Sequence, residues 1–112
     1  LDDDIVIEER SFQLRPGGIP AFVEACNAHG TAALAPLADH LIGSFVAATG
    51  PQHLIRFWWW FGSEEERVAS LSPVFGSRSW SAFIDAIAPL VQEQTSLLMQ
   101  PSPVPEMSPL FG

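Results

Sequence analysis

Three histidines, one cysteine and five arginines are the side chains of this chain suited to moving a proton, attacking an electrophile or holding an anion. His53 is the first candidate catalytic group. It stands at the start of an expected strand beside Gly50-Pro51, where an imidazole reaches a cavity mouth and can serve as a general base. The competing reading is an exposed loop histidine. Arg10 shares a strand face with Glu8 and Phe12, and a buried guanidinium there demands a carboxylate partner. Its functional alternative, shared with Arg56, is to anchor an anionic or enolate oxygen inside walls of Phe and Trp that exclude water. Arg56 lies with Trp58 and Trp60, which also permits a cation–π contact across an interface. His29 and His40 flank an irregular segment where helix ends and pocket edges coincide, and His40 is counted among the candidate binding residues. Cys26 continues an apolar helical stripe and reads as a small core residue. The positions 29, 40 and 53 match no compact metal motif, so neither a metal nor a cofactor is expected.

The elements that must position these groups centre on Leu41 to Phe61, LIGSFVAATGPQHLIRFWWWF. In an extended chain Phe57, Trp59 and Phe61 point to one face and Trp58 and Trp60 to the other. A small antiparallel sheet covers one face with helices and leaves the other wet, so an aromatic second face calls for another layer, most simply a second copy of the chain. Phe12, Phe57, Trp59 and Phe61 are the candidate apolar walls of a binding site. A one-residue slip of register exchanges Trp59 and Trp58 between seam and cavity, so which face lines a pocket stays open at this level.

Composition sets the bounds. The chain has 112 residues, which fit one domain, and is 47% hydrophobic but only 16% charged. That balance favours an additional buried interface. Thirteen acidic residues against five arginines give a formal charge of −8, which argues against a nucleic-acid partner. The single cysteine forms no internal disulfide, and no apolar run approaches the roughly 20 residues of a membrane helix. A reducing cytoplasm is the expected location. The chain opens at Leu1 followed by three aspartates, and a targeting segment upstream stays open.

Along the chain, Ile5 to Leu14 reads as a first strand ended by Arg15-Pro16-Gly17-Gly18. Ile19, Phe22, Val23 and Cys26 share one helical stripe behind Pro20, with Gly30 expected to end or loosen that helix and Thr31 to Asp39 to resume it around Pro36. Leu41 to Ala48 and Leu54 to Phe61 form a hairpin. Ser63 with Glu66 matches a capping box, and the helix behind it is expected to be interrupted at Pro73 and Gly76 before Trp80, Phe83, Ile84 and Ile87 restore the spacing. Val91 to Gln100 is the last strand. The order strand, helix, strand, strand, helix, strand is the α+β, ferredoxin-like βαββαβ arrangement with a four-stranded antiparallel sheet. Residues 1–101 are the domain and 102–112 a proline-rich arm, whose Leu110 and Phe111 are expected to pack on the body or on a partner subunit.

Read with this order, the chain resembles the NIPSNAP family of the dimeric α+β barrel superfamily. Glu8-Glu9-Arg10-Ser11-Phe12-Gln13-Leu14-Arg15-Pro16-Gly17 is similar to its opening strand and Pro-Gly turn, and His29-Gly30 to the end of its first helix. Ile42-Gly43-Ser44-Phe45 and Gly50-Pro51 resemble its central hairpin. Trp59 resembles its strand tryptophan, Trp80 with Phe83 and Pro89-Leu90 its last helix, and Gln92-Glu93 its final strand. The chain departs from the family in lacking tyrosine altogether, so Phe12 and Phe61 stand where the family often carries one. His53 replaces its usual Asn, Ala48 an acidic residue, and Phe57 a frequent strand His. The resemblance implies a sheet-to-sheet homodimer with a cavity between sheet and helices in each subunit. It implies no single chemistry, since a shared fold is weak warrant for function.

Two functions follow as expectations. In one, the protein binds a hydrophobic or aromatic small molecule between sheet and helices, as a cofactor-free binder or enzyme of the monooxygenase, isomerase or cyclase kind, with His53 as base and Arg10 or Arg56 as oxyanion anchor. In the other, it is a non-catalytic interaction or scaffold module whose apolar faces serve dimerisation.

Overall fold

The computed structural model describes residues 4–110. Its strands follow the alternation of the sequence. β1 (Val6–Leu14) and β3 (Leu54–Phe61) are the two central strands, flanked by β4 (Val91–Met99) and β2 (Leu41–Val46) in the order β2-β3-β1-β4, and every neighbouring pair is antiparallel. The register Glu8↔Trp59, Arg10↔Phe57 and Phe12↔Ile55 places these six side chains on one face. That face is the buried one, which settles the orientation of the tryptophan run: Phe57, Trp59 and Phe61 face inward, whereas Trp58 is 38% exposed on the opposite side.

Among the described residues four α-helices, with a π-helical turn and a 3₁₀ turn, cover the inner face. α1 (Ile19–Ala25) starts with Pro at its first turn and runs into a π-helical turn at Cys26–Gly30, where Thr31 N–H donates to Cys26 O. α2 (Thr31–Leu34) and a 3₁₀ turn (Ala35–His40) carry the chain back to β2. Gly30 does not end the helix: its φ and ψ of −65° and −42° are helical. Its lack of a side chain serves packing instead, because a Cβ there would sit 3.0 Å from Phe83 Cε1.

α3 (Glu64–Phe75) opens at Ser63, whose hydroxyl accepts from Glu66 N, while the Glu66 carboxylate accepts from Gly62 N. The box is thus closed one residue earlier than the sequence pattern suggests, and three glutamates sit in the first turn near the positive helix end. Pro73 does not interrupt this helix. It lies within it at an exposed position, and the helix stops at Gly76. Ser77 then caps α4 (Arg78–Ile87) by accepting from Trp80 N. The core is one cluster of Phe12, Phe22, Phe57, Phe61, Phe83, Leu14, Leu37 and their neighbours, each fully buried large side chain contributing about 1.5–3 kcal/mol.

Two further expectations change. β2 stops at Val46 rather than Ala48, because residues 47–53 make the turn of the hairpin. Among the described residues of the arm after Pro101 there is one 3₁₀ turn, Pro105–Met107, and Leu110 is 81% exposed, so that residue does not pack on its own subunit. Phe111 lies outside the described residues.

Candidate functional site

Between the inner face of the sheet and the helices lies a cleft with about 350 Å³ of space, its open mouth included, lined by residues of β1, β3, α2, the 3₁₀ turn, α3 and α4. Its walls are apolar: Phe12, Phe57 and Trp59 from the sheet, Leu37 and Leu71 behind them, and Phe75, Trp80 and Phe83 from the last two helices. Phe57 and Trp59 stack nearly parallel, 6.3 Å between centroids and 5° between planes. Phe75 and Trp80 contact one another at 5.0 Å, and Trp80 touches Phe83 at 5.9 Å. The space open to the centre of a water molecule is about 20 Å³, roughly one water by the usual measure. Phe75 is 42% exposed, so its ring has solvent to turn into when something larger enters.

The floor of this apolar cleft is ionic. Strand alternation puts Glu8 and Arg10 on the inner face of β1, and Glu8 is completely buried. One of its oxygens accepts a 2.6 Å hydrogen bond from Arg67 Nε on α3, and Arg67 Nη1 donates in turn to Glu64 at 2.9 Å. The other oxygen, Oε2, lies 2.9 Å from Arg10 Nη2. That is an ion-pair distance, but the approach is out of line for a hydrogen bond, and Oε2 has no hydrogen-bond partner. Arg10 Nε is likewise buried without one, as is the far oxygen of Glu64. Arg10 also lays its guanidinium over the Phe75 ring at 5.3 Å, which ties the floor to the mouth.

The candidate residues divide between this cleft and the rest of the molecule. Arg10, Phe12, Phe57 and Trp59 line it together. Phe61 belongs to the core beside it and stacks on His40 at 4.8 Å. His40 is fixed by Trp60 O at 2.9 Å and by Glu66 at 3.5 Å. Arg56 lies on the outer face, donating to Ser11 Oγ at 3.1 Å and pairing with Glu9 at 3.5 Å. His53 sits at the hairpin loop with φ +58°, its carbonyl accepting from Leu14 N and its Nδ1 from Gly17 N at 3.4 Å. It lines a separate groove formed by Ile19 and the loop from Val46 onward, and the cleft does not include it. The cleft therefore unites Arg10 with the aromatic candidates and leaves His53, His40 and Arg56 elsewhere.

Glu8, Arg67, Phe75 and Trp80 are the site residues that residue-by-residue reading passed over. A signal for Glu8 exists: it is the one acidic residue on the buried alternation Val6, Glu8, Arg10, Phe12, Leu14, and an acid in a core position has to be matched. Arg67 had no such signal, since only the packing of α3 on the sheet brings it to Glu8. Cys26 is half-buried, and burial raises its thiol pKa, the opposite of a nucleophile's requirement. Among the described residues no group of three or more His, Cys, Asp or Glu side chains is gathered to hold a metal ion. No helix among them is long and apolar enough to cross a membrane.

A βαββαβ chain with an antiparallel β2-β3-β1-β4 sheet and an aromatic cleft under its helices has the ferredoxin-like α+β architecture. Within that class the chain belongs to the NIPSNAP family, whose profile matches residues 7–105. An uncharacterized NIPSNAP-like domain protein from Burkholderia xenovorans superposes with a TM-score of 0.82 at 24% identity, over 91% of this chain and 89% of its own. A NIPSNAP family protein from Agrobacterium tumefaciens gives 0.81 at 24% identity, over 93% and 91%. More distant in sequence, a candidate antibiotic biosynthesis monooxygenase from Nitrosomonas europaea shares the fold with a TM-score of 0.65 at 10% identity, over 94% and 96%. No curated protein matches the sequence.

Proposed function

We propose that the protein is a homodimeric binder of a hydrophobic, aromatic small molecule, held in the cleft between sheet and helices with a polar end on the Glu8–Arg10 floor. One observation carries this reading: a buried carboxylate oxygen and a buried guanidinium N–H, both without hydrogen-bond partners, border an otherwise aromatic cleft. Buried polar atoms are satisfied in folded proteins in the large majority of cases, so two unsatisfied ones in a single cleft suit a ligand that brings its own donor and acceptor. Arg10 takes the anchoring role, and His53 and Arg56 have none in this reading.

The dimer is supported by the outer face of the sheet. Phe45, Trp58 and Leu97 are exposed there, with Phe45 against Trp58 at 5.2 Å. Two charges of that face, Glu9 and Arg56, are paired within the subunit, and Glu93 stands towards its edge. Apolar side chains around a paired polar centre suit a self-complementary contact about a two-fold axis. The proline-rich arm, with Val104, Met107 and Leu110 exposed, favours the second reading, an interaction module that meets other proteins.

Native mass spectrometry and equilibrium dialysis against naphthalene separate the two. The expected result is a species of twice the 12.2 kDa chain mass that takes up the hydrocarbon and loses uptake when Leu71→Trp fills the cleft. A dimer that takes up no aromatic molecule overturns small-molecule binding and leaves the interaction module, and a monomer overturns the sheet-face dimer.

A further inference from the structure

The charges of the floor restrict what kind of polar end the cleft accepts. Glu8 and Glu64 supply two carboxylates, Arg10 and Arg67 two guanidiniums, and the 2.6, 2.9 and 2.9 Å contacts link all four into one chain. Formally the set is neutral. Three buried atoms of the set lack hydrogen bonds, Glu8 Oε2, Glu64 Oε2 and Arg10 Nε; of their residues Glu8 and Arg10 line the cleft, which leaves it one acceptor, Glu8 Oε2, and one donor, Arg10 Nε. Nε and Nη2 belong to one rigid planar guanidinium, and Nη2 is 2.9 Å from Oε2, so the two unused atoms are neighbours.

Resting on the small-molecule reading above, we infer that the cleft selects an uncharged, planar amide-type head group on an aromatic body, its N–H donating to Glu8 Oε2 and its carbonyl accepting from Arg10 Nε. An anionic head is disfavoured, because it would bring a second negative charge against the unsatisfied oxygen of a fully buried carboxylate whose two arginines are already engaged. A cationic head meets the same obstacle at Arg10. A plain hydrocarbon fills the aromatic walls and leaves both polar atoms unpaired, which is costly in a dry site. The amide matches a donor to the acceptor and an acceptor to the donor, while its aromatic body meets the ring walls of Phe57, Trp59, Phe75 and Trp80.

Equilibrium dialysis of the full chain at pH 7 against three molecules of one shape tests this: 2-naphthamide, 2-naphthoate and naphthalene. The amide is expected to bind at least tenfold more tightly than either of the others. In an Arg10→Met protein, which keeps an apolar stem but no donor, the amide's advantage over naphthalene should shrink to less than threefold. Naphthoate binding as tightly as the amide overturns the inference, and so does an amide no better held than naphthalene. In both cases small-molecule binding itself stands. Failure of all three to bind overturns the small-molecule reading, and this inference with it. The wild-type comparison alone decides the matter if Arg10→Met does not fold.

Discussion

Glu8 and Arg67 stand 59 positions apart in sequence and meet at 2.6 Å, strand to helix, at the floor of the cleft. The bond closes α3 onto β1, and it does so with an acid that has 1% of its side-chain surface exposed and a guanidinium with 18%. Removing one member of such a pair leaves a buried charge without its main partner, at a cost of about 3–5 kcal/mol. Arg67→Met is therefore expected to lower the urea-unfolding free energy by about 3 kcal/mol, towards the low end because Arg10 still faces Glu8. Adding Glu8→Gln should recover part of that loss. A single Arg67→Met protein as stable as the parent would show that the ion pair holds nothing together.

Gly30 is fixed by a contact rather than by its backbone. With helical dihedrals, Gly30→Ala gains about 1 kcal/mol of helix propensity. The new methyl, however, would stand 3.0 and 3.2 Å from two atoms of the Phe83 ring. Phe83 is 2% exposed and held between Phe22 and Trp80, so it has little room to retreat, and overpacking costs about 1–3 kcal/mol. The net expectation is a loss of about 1 kcal/mol in urea denaturation, restored by Phe83→Leu in the same chain. A gain in stability from Gly30→Ala alone would mean that the two helices separate freely.

How far the sequence foretold these relationships depends on the distance between partners. The inward set Phe57, Trp59, Phe61 is a period-two pattern inside eight residues, the Ser63 cap spans three, and the α4 stripe Trp80, Phe83, Ile84, Ile87 spans two turns; all are local and all are legible. Gly30 was not, because its ring partner arrives 53 positions later. Pro73 signals a break in the sequence, yet the missing N–H matters only where the bond cannot be spared, and on the exposed face of α3 the helix carries on past it. The cleft was half legible: Arg10, Phe12, Phe57 and Trp59 follow from alternation, whereas Arg67 and Phe75 depend on how α3 lies across the sheet. His53 has the chemistry of a base beside a turn, but the turn itself directs it to the β1–α1 corner.

His53 occupies the left-handed region at φ +58° and is the single non-glycine with positive φ among the described residues. Its fixed part is the carbonyl, which accepts from Leu14 N at 2.8 Å and from Gln13 Nε2 at 3.4 Å. A glycine keeps that carbonyl and relieves a left-handed conformation worth about 1–2 kcal/mol, less the entropy it adds to the unfolded chain. His53→Gly is expected to raise the melting temperature slightly, or at least not lower it, and to leave naphthalene uptake unchanged. Loss of uptake at constant stability would return His53 to the binding site.

The outer face supplies a prediction that leaves the cleft alone. Trp58 donates to Glu9 at 3.1 Å and packs on Phe45, with part of its ring open to solvent. Leu97 stands on the neighbouring edge strand, opposite Glu9 in the register and 53% exposed. If this face joins two copies, Leu97→Glu places two new negative charges at the seam beside Glu9 and its symmetry mate. Sedimentation at micromolar concentration should then show a monomer with an unchanged far-ultraviolet spectrum. A Leu97→Glu dimer would exclude this face as the interface.

Cys26 gives a pH dependence whose sign is determined. Burial raises the thiol pKa in the folded protein above its ordinary value. The folded state therefore favours the protonated thiol, and the stability it derives from this is fully present below the ordinary thiol pKa. As pH rises through that value towards the folded one, the unfolded chain loses its proton first and gains relative to the folded state. Urea midpoints measured from pH 7 upward should decline more steeply in the parent than in Cys26→Ala, which keeps a small apolar side chain on the same helical stripe and has nothing to ionise. Alkylation of the native protein at pH 8 should likewise run more slowly than that of the unfolded chain, since the thiolate is the reactive form. Parallel pH profiles for the two proteins, together with fast native alkylation, would place Cys26 in an open, polar setting and contradict its packing against the core.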